Sequence, residues 1–425
     1  MISIPPVPRS AGGPAHRAAR RAIGLAAAAG LALAACSSGG GSHASSAAPA
    51  STPTTAAPIK TLPNVPPVTD PANIYAAAGA GMVTGAAKQA LARVYVPNHG
   101  TNNVTVIDPK TLKVVGVFPS GLSPQHVVPA YDLTRLWVAN NADGTTKGSL
   151  TPIDPTTGAR LGPNVAVDDP YNLYFTPDGA SAIVVAEARH RLDFRDPQTM
   201  ALKSSLSVPT CPGINHMDFS ADGSYLLATC EDAHSLVKID WVNKAVLGTL
   251  DLGAQSVPQD LRTGPDGKTF YVADMQGNRL QLIDGSSLSI SGSIDLAATG
   301  GFGAHGLYPS RDAKSLYVAN RGSASRGSAP PHGRGTVSVV DFATGKVTAN
   351  WPVPGGGSPD MGGVTADGSQ LWLSGRYDNE VYVFDTVAGK LLSRIAVSPE
   401  GIEPHGLCVW PQPGRYSLGH TGNMR

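Results

Sequence analysis

The stretch Thr336-Val337-Ser338-Val339-Val340-Asp341 returns as Asn103-Val104-Thr105-Val106-Ile107-Asp108 and again in copies ending at Asp154, Asp196, Asp240, Asp284 and Asp385. Each copy is an apolar, strand-like run with an aspartate at its exit, and nearly every one follows a second such run, for example Leu136-Trp137-Val138, Phe270-Tyr271-Val272 and Leu371-Trp372-Leu373. The copies recur at intervals on the order of 42 to 55 residues, the range of four-stranded propeller blades. Seven copies predict an all-β, seven-bladed β-propeller of four-stranded blades.

A fixed period leaves one repeat domain where 425 residues would otherwise suggest two or three. With 49 glycines, 36 prolines and only 15% charged residues, the chain suits short strands joined by turns and offers little for long surface helices. Lysine plus arginine (32) balance aspartate plus glutamate (31), so no overall field favours nucleic acid or an anionic membrane surface. The repeated aspartate has a purely structural reading, an Asx-type bond to the turn that follows. Asp178-Gly179, Asp222-Gly223, Asp266-Gly267 and Asp367-Gly368 mark a second set of turns, tight hairpins.

Residues 1–36 read as an export signal. Arg9, Arg17, Arg20 and Arg21 precede an apolar run that ends in Leu33-Ala34-Ala35-Cys36, which resembles a bacterial lipobox. The run is too short to span a bilayer. Lipidation of Cys36 would leave the protein anchored to the cell membrane on its extracytoplasmic side. Arg20-Arg21 also partly resembles a twin-arginine signal. Residues 37–70, rich in Ser, Gly, Ala and Pro, are expected to be a disordered linker, 71–90 a lead-in, and 91–425 the propeller. The glycines between residues 78 and 85 mimic a dinucleotide loop, but no βαβ unit surrounds them.

Tyr95-Val96-Pro97-Asn98, Trp137-Val138-Ala139-Asn140 and Tyr317-Val318-Ala319-Asn320, each followed by an Asp-ended strand, resemble the bacterial YVTN repeat of YncE-like proteins. The likeness covers about residues 91–410 and implies a seven-bladed propeller, commonly exported, in a family of varied functions. Two units depart from it, at Val185-Ala186-Glu187 and Thr229-Cys230-Glu231. The Gly-His and Trp-Asp signature of the intracellular Trp-Asp repeats is missing. The first unit lacks an inner strand and the last carries a spare one at His405-Gly406-Leu407-Cys408-Val409, so this C-terminal strand should join blade one and close the ring. The pattern gives no place to residues 415–425.

Chemistry is expected where the inner strands begin, at Gln125-His126, Tyr171-Asn172, Asn215-His216, Gln259-Asp260, His305-Gly306, Asp360-Met361 and His405-Gly406. These doublets place His126, Asn172, His216, Asp260, His305, Asp360, Met361 and His405 near the axis as candidate ligand-binding residues. His126, His216, His305 and His405 are the candidate metal ligands, imidazoles suited to zinc, copper, nickel or iron in an axial funnel. The competing reading has each histidine bonding a neighbouring blade's backbone. His99, His190, His234 and His332 lie in loops of the same face. Glu187, Arg189, His190, Arg321 and Arg376 resemble, at the level of fold alone, the charged set of propeller lactonases.

Of four cysteines, Cys211 and Cys230 sit on neighbouring strands and suggest a disulfide in an exported protein; a Cys/His cluster with His216 and His234 is the rival. Cys408 should be a buried free thiol. Residues 322–335 form an insertion overhanging the same face. Nothing resembles a nucleophile elbow, a zinc-protease helix motif or a Walker loop. The expectation is a monomeric, lipid-anchored propeller that binds a small molecule or protein partner through its histidine-bearing face, with a propeller enzyme, lactonase-type or metal-dependent oxidoreductase, as the alternative.

Overall fold

The computed structural model describes residues 57–322, 333–397, 403–420 and 422–425. Among these, the strands form seven antiparallel sheets arranged as the blades of a propeller. Blade 1 pairs Cys408–Trp410 with Arg93–Asn98, Asn103–Asp108 and Lys113–Pro119. Val409 faces Val94 and Cys408 faces Tyr95, so the C-terminal strand supplies the missing inner strand and closes the ring. Blades 2 and 3 begin with Pro124–Pro129 and Pro170–Phe175, and blades 4 to 7 with Ile214–Phe219, Pro258–Thr263, Ala304–Pro309 and Pro359–Val364. The outer edge of blade 2 is split into Ala159–Arg160 and Val165–Ala166. Pro163 lies in the gap, where it has no N–H to donate to a ladder.

Burial follows position in the blade. The three inner strands are packed between neighbouring blades on both faces and read as almost wholly buried, whereas outer strands such as Leu202–Ser207 alternate with solvent. Trp137, Trp372, Trp410 and Tyr95 are among the largest of the fully buried side chains that fill the seams between blades. Each repeated aspartate accepts a backbone N–H two or three residues on, at 2.8 to 3.0 Å. These Asx turns hold the carboxylate of Asp284 down at about 2, chiefly through the Ser287 N–H. The Asp-Gly turns carry left-handed glycines, as at Gly179 (φ 70°) and Gly223 (φ 75°).

Loops between the second and third strands open on one face of the ring, and the first-to-second strand turns on the other. The second face is covered. Residues 57–70, expected to belong to a disordered linker, run against it: Leu62 N–H donates to Asp222 O at 3.0 Å, and Val65 is buried. That expectation read only composition, which does not register backbone pairing with distant turns. The lead-in continues the path, with Ile74 N–H on Pro265 O, Tyr75 Oη on Thr263 O and Gly81 N–H on Ala366 O.

Residues 415–420 and 422–425, part of the stretch the repeat left unplaced, enter the same side of the central channel. Ser417–Gly419 pairs with Asn423–Met424 and bridges the inner strand of blade 3 at Tyr174. Cys211 and Cys230 form a disulfide, which removes both from any Cys/His cluster, and the His234 ring bonds Ser256 O at 2.6 Å instead. Cys408 is a buried free thiol whose pKa burial pushes up. Cys36, His332 and most of the 322–335 insertion lie outside the described residues.

Candidate metal centre

A strand's side chains alternate faces, so consecutive residues should not both reach the axis. The inner strands of blades 4 to 7 evade this with a bulge. In blade 4, Ile214 faces Cys230 and Met217 faces Ala228, leaving Asn215 and His216 together opposite Thr229. The same two-against-one step holds Gln259 and Asp260, His305 and Gly306, and Asp360 and Met361. Blades 2 and 3 likewise carry one extra residue, at Gln125 and Tyr171. A bulge re-aims side chains at the cost of unpaired backbone, and in blades 4 and 7 a small hydroxyl residue repairs the ladder. Thr229 Oγ1 accepts from His216 N–H at 3.0 Å and donates to His216 O at 3.2 Å; Ser374 Oγ does the same for Met361 at 3.3 and 3.0 Å. Glycine follows His405 because a Cβ there would lie 2.1 Å from the His126 ring.

The result is a hub of five histidines, each no more than 3% exposed: His126, His216, His305, His405 and, from the C-terminal tail, His420. They form two groups. In the first, His126, His216 and His420 each bring one donor atom within 4.8 Å of the others; in the second, His305, Asp360 and His405 do so. The rings of His126 and His405, 4.8 Å apart, join the groups. The four histidines named from sequence therefore do not form one set. His126 and His216 go with His420, while His305 and His405 go with Asp360.

The groups differ electrically. Asp360 Oδ1 accepts from Arg321 Nε at 2.7 Å and from His305 Nδ1 at 2.9 Å, and His405 Nε2 lies 3.4 Å from Oδ2. Burial alone would raise Asp360, but Arg321, with His305 and His405, holds it well below the usual carboxylate range. Its charge is thus already matched by a guanidinium. The three-imidazole group contains no carboxylate, and its nearest acid, Asp260, is paired with the buried Arg262 at 3.8 Å. His126 Nδ1 meets Tyr171 O at 3.0 Å, which puts the ring's proton on Nδ1 and its lone pair on Nε2, and that Nε2 is buried without a hydrogen-bond partner. His216 Nε2 is likewise unbonded.

Asn172 Nδ2 donates to Nδ1 of His216 at 3.2 Å and of His420 at 3.0 Å, its Oδ1 being held by the Leu173 N–H at 2.8 Å, so both rings accept at Nδ1. His420 Nε2 lies 3.2 Å from Asp260 Oδ1, an ion-pair distance whose angles make no hydrogen bond. Burial pushes His126 down to about 4; burial with the neighbouring rings pushes His216, and burial with Arg262 and the rings pushes His420, well below the ordinary range, so all three are neutral at physiological pH. Neutral, desolvated imidazoles are the form in which histidine binds a transition metal, and these three, of which His126 already presents an unbonded Nε2 lone pair, fit such an ion.

Access is from the open face. A narrow recess with a cavity volume of about 30 Å³ is lined by Gln125, Tyr171, Gln259, His305, Arg321 and His405, among others. His126, His216 and His420 do not line it and lie on the side of the tail. Met361 Sδ is 3.1 Å from His305 Nδ1. Of the set that resembled a lactonase, Arg321 and Arg376 border this recess and Glu187 borders a neighbouring one, but Arg189 pairs with Asp168 at 3.3 Å and His190 lines neither. His99 bridges Asp143 and Glu403 at the rim, at 2.9 and 3.2 Å.

The sequence matches the YNCE-like beta-propeller family over residues 62–413. The chain belongs to that family. No curated protein is significantly similar to this YNCE-like chain in sequence. Among solved structures it is similar to the hydrazine synthase of Kuenenia stuttgartiensis, with 19% identity, a TM-score of 0.57 and coverage of 69% of this chain and 92% of that one. It is also similar to a putative 6-phosphogluconolactonase of Bacteroides uniformis (17%, TM-score 0.57, covering 75% and 99%) and to a functionally unknown protein of Desulfotomaculum acetoxidans (16%, TM-score 0.56, covering 76% and 99%). At these identities the likeness is one of fold, shared by proteins of differing description.

His420 escaped the repeat pattern because it belongs to no blade. The one local hint is Gly419-His420-Thr421-Gly422, a histidine framed by turn-forming glycines in a segment with no other evident task.

Proposed function

We propose that this YNCE-like propeller is an exported, lipid-anchored metal-binding protein whose hub holds one late first-row transition ion with His126, His216 and His420. The single observation behind this reading is the group of three buried, neutral imidazoles from separate parts of the chain, with Nε2 of His126 and His216 unbonded. Stranding such nitrogens away from water is costly unless a ligand takes them up. Zinc, copper, nickel and iron all accept imidazole, and three histidines leave a further coordination position open. Asp260 lies 3.2 Å from His420 Nε2 and 3.8 Å from Arg262, so its charge is shared between that ring and a guanidinium. When bound, the ion supplies Lewis acidity or a redox couple; the protein's own residues fix its ligands and exclude bulk water. Export is supported by Leu33-Ala34-Ala35-Cys36 and by a disulfide between Cys211 and Cys230, a bond that persists in oxidising compartments.

The recess favours a second reading, an enzyme whose small substrate meets Arg321, Arg376, His305 and His405 there. One preparation tests the main reading. Full-length protein recovered from the membrane fraction should carry stoichiometric transition metal by elemental analysis. The combined replacement of His126 and His216 by alanine should lose it, and Cys36→Ser should leave the protein soluble. Metal-free protein from metal-replete cells, with unaltered stability in the double variant, would reduce the hub to a structural hydrogen-bond network.

A further inference from the structure

We infer that the C-terminal tail is a working part of the metal site: it delivers His420 as the third imidazole, so that ion binding and tail docking form one coupled equilibrium. This rests on the reading of the hub as a metal site.

Chain termini usually fray at a domain surface. Here Ser417, Leu418 and His420 are fully buried, and Arg425 is 6% exposed. The anchors lie on both sides of His420. Before it, Gly419 bridges Tyr174 of blade 3, and the His420 N–H donates to Leu173 O at 3.2 Å. After it, Asn423 Nδ2 and Arg425 Nη2 donate to Asp218 Oδ1 of blade 4, at 2.9 and 3.2 Å, and Arg425 Nη2 reaches Phe219 O at 2.8 Å. Between these anchors His420 is held in the left-handed region, at φ 40°, where a side chain with a Cβ rarely sits. The strained turn presents its ring 4.5 Å from His216 and 5.6 Å from His126, centre to centre.

Simple plugging of the channel needs only an apolar side chain at this position. An imidazole placed instead beside two other neutral imidazoles adds another polar nitrogen to a site already short of partners. An ion shared by the three rings removes that cost, and it does so only when the tail is docked. Any ligand that binds the docked form alone stabilises docking by mass action, and the undocked protein, with two imidazoles, binds the ion more weakly by the same factor. The linkage reaches the ring itself, because the tail continues directly from the closing strand Cys408–Trp410. An ion at the hub would thus tie the chain's end, and with it the seam of the propeller, to the strands of blades 2 and 4.

The full chain tests this with Zn2+ and Co2+ as probes. His420→Ala should lower Zn2+ affinity by at least about tenfold, since losing a mere supporting partner of a ligand already costs about that much. His420→Cys loaded with Co2+ should gain a thiolate-to-metal charge-transfer band, a signature that a purely structural role would not produce. Adding Zn2+ to the wild type should slow hydrogen exchange at the His420 and Asn423 amides while leaving outer-strand amides unchanged. Wild-type protein that binds the metal, with affinity unaltered in His420→Ala and exchange at the tail unmoved, would overturn the coupling and leave the hub reading standing. Wild-type protein with no metal affinity would overturn both.

Discussion

At the scale of single residues, the site depends on a device that works against the ordinary alternation of a strand. His216 and Asn215 both turn inward because Thr229 alone faces them, and its hydroxyl bonds both backbone groups of His216. Thr229→Val keeps the shape and removes those bonds, stranding a buried N–H and C=O. The expected loss is about 1–3 kcal/mol in denaturant unfolding, together with weaker metal binding. Unchanged stability would show that the bulge is held by packing alone. The same device explains what could be read from the sequence. His126 and His216 come second in their doublets while His305 and Asp360 come first, which alternation would send to opposite faces. Listing the doublets brought them to one axis, but only the bulge registers explain why. The pairing of His305 and His405 with Asp360 and Arg321 could not be read from spacing, because it depends on how far each loop carries its side chain across the ring.

Among elements, the strands were legible and the connecting termini were not. An inner strand, an Asp-ended third strand and an Asp-Gly turn each leave a local signature, and the spare strand at Cys408–Trp410 follows from counting. Residues 57–70, 415–420 and 422–425 carry no period, and distant hydrogen bonds decide their positions. The tail's weakest point is its buried charge. Asp218 accepts from Arg425, Asn423 and the Thr263 N–H, so Asp218→Ala leaves a guanidinium in the channel without its carboxylate. Removing one partner of a buried pair costs about 3–5 kcal/mol when the other stays buried. The tail has an escape, so the expected outcome is undocking: fast exchange and ready carboxypeptidase digestion of the last residues from a propeller that still unfolds cooperatively. A protected tail in that variant would place the anchoring elsewhere.

Over the whole molecule, seven blades closed by the C-terminal strand create a channel covered on one side by the lead-in and the tail and open on the other through a recess. Closure removes exposed edges, which makes the ring a rigid frame able to hold ligands from separate blades at fixed distances. Membership of the YNCE-like family and the likeness to structures of 16 to 19% identity account for this frame. They leave its hub chemistry to the residues of this chain. The most direct test is anomalous X-ray scattering from crystals of metal-replete full-length protein, measured on either side of the zinc, copper, nickel and iron edges. A single strong peak within coordination distance of His126 Nε2 and the rings of His216 and His420 is the predicted result. Ordered water bonded to those nitrogens, with no edge-dependent peak in the channel, would contradict it.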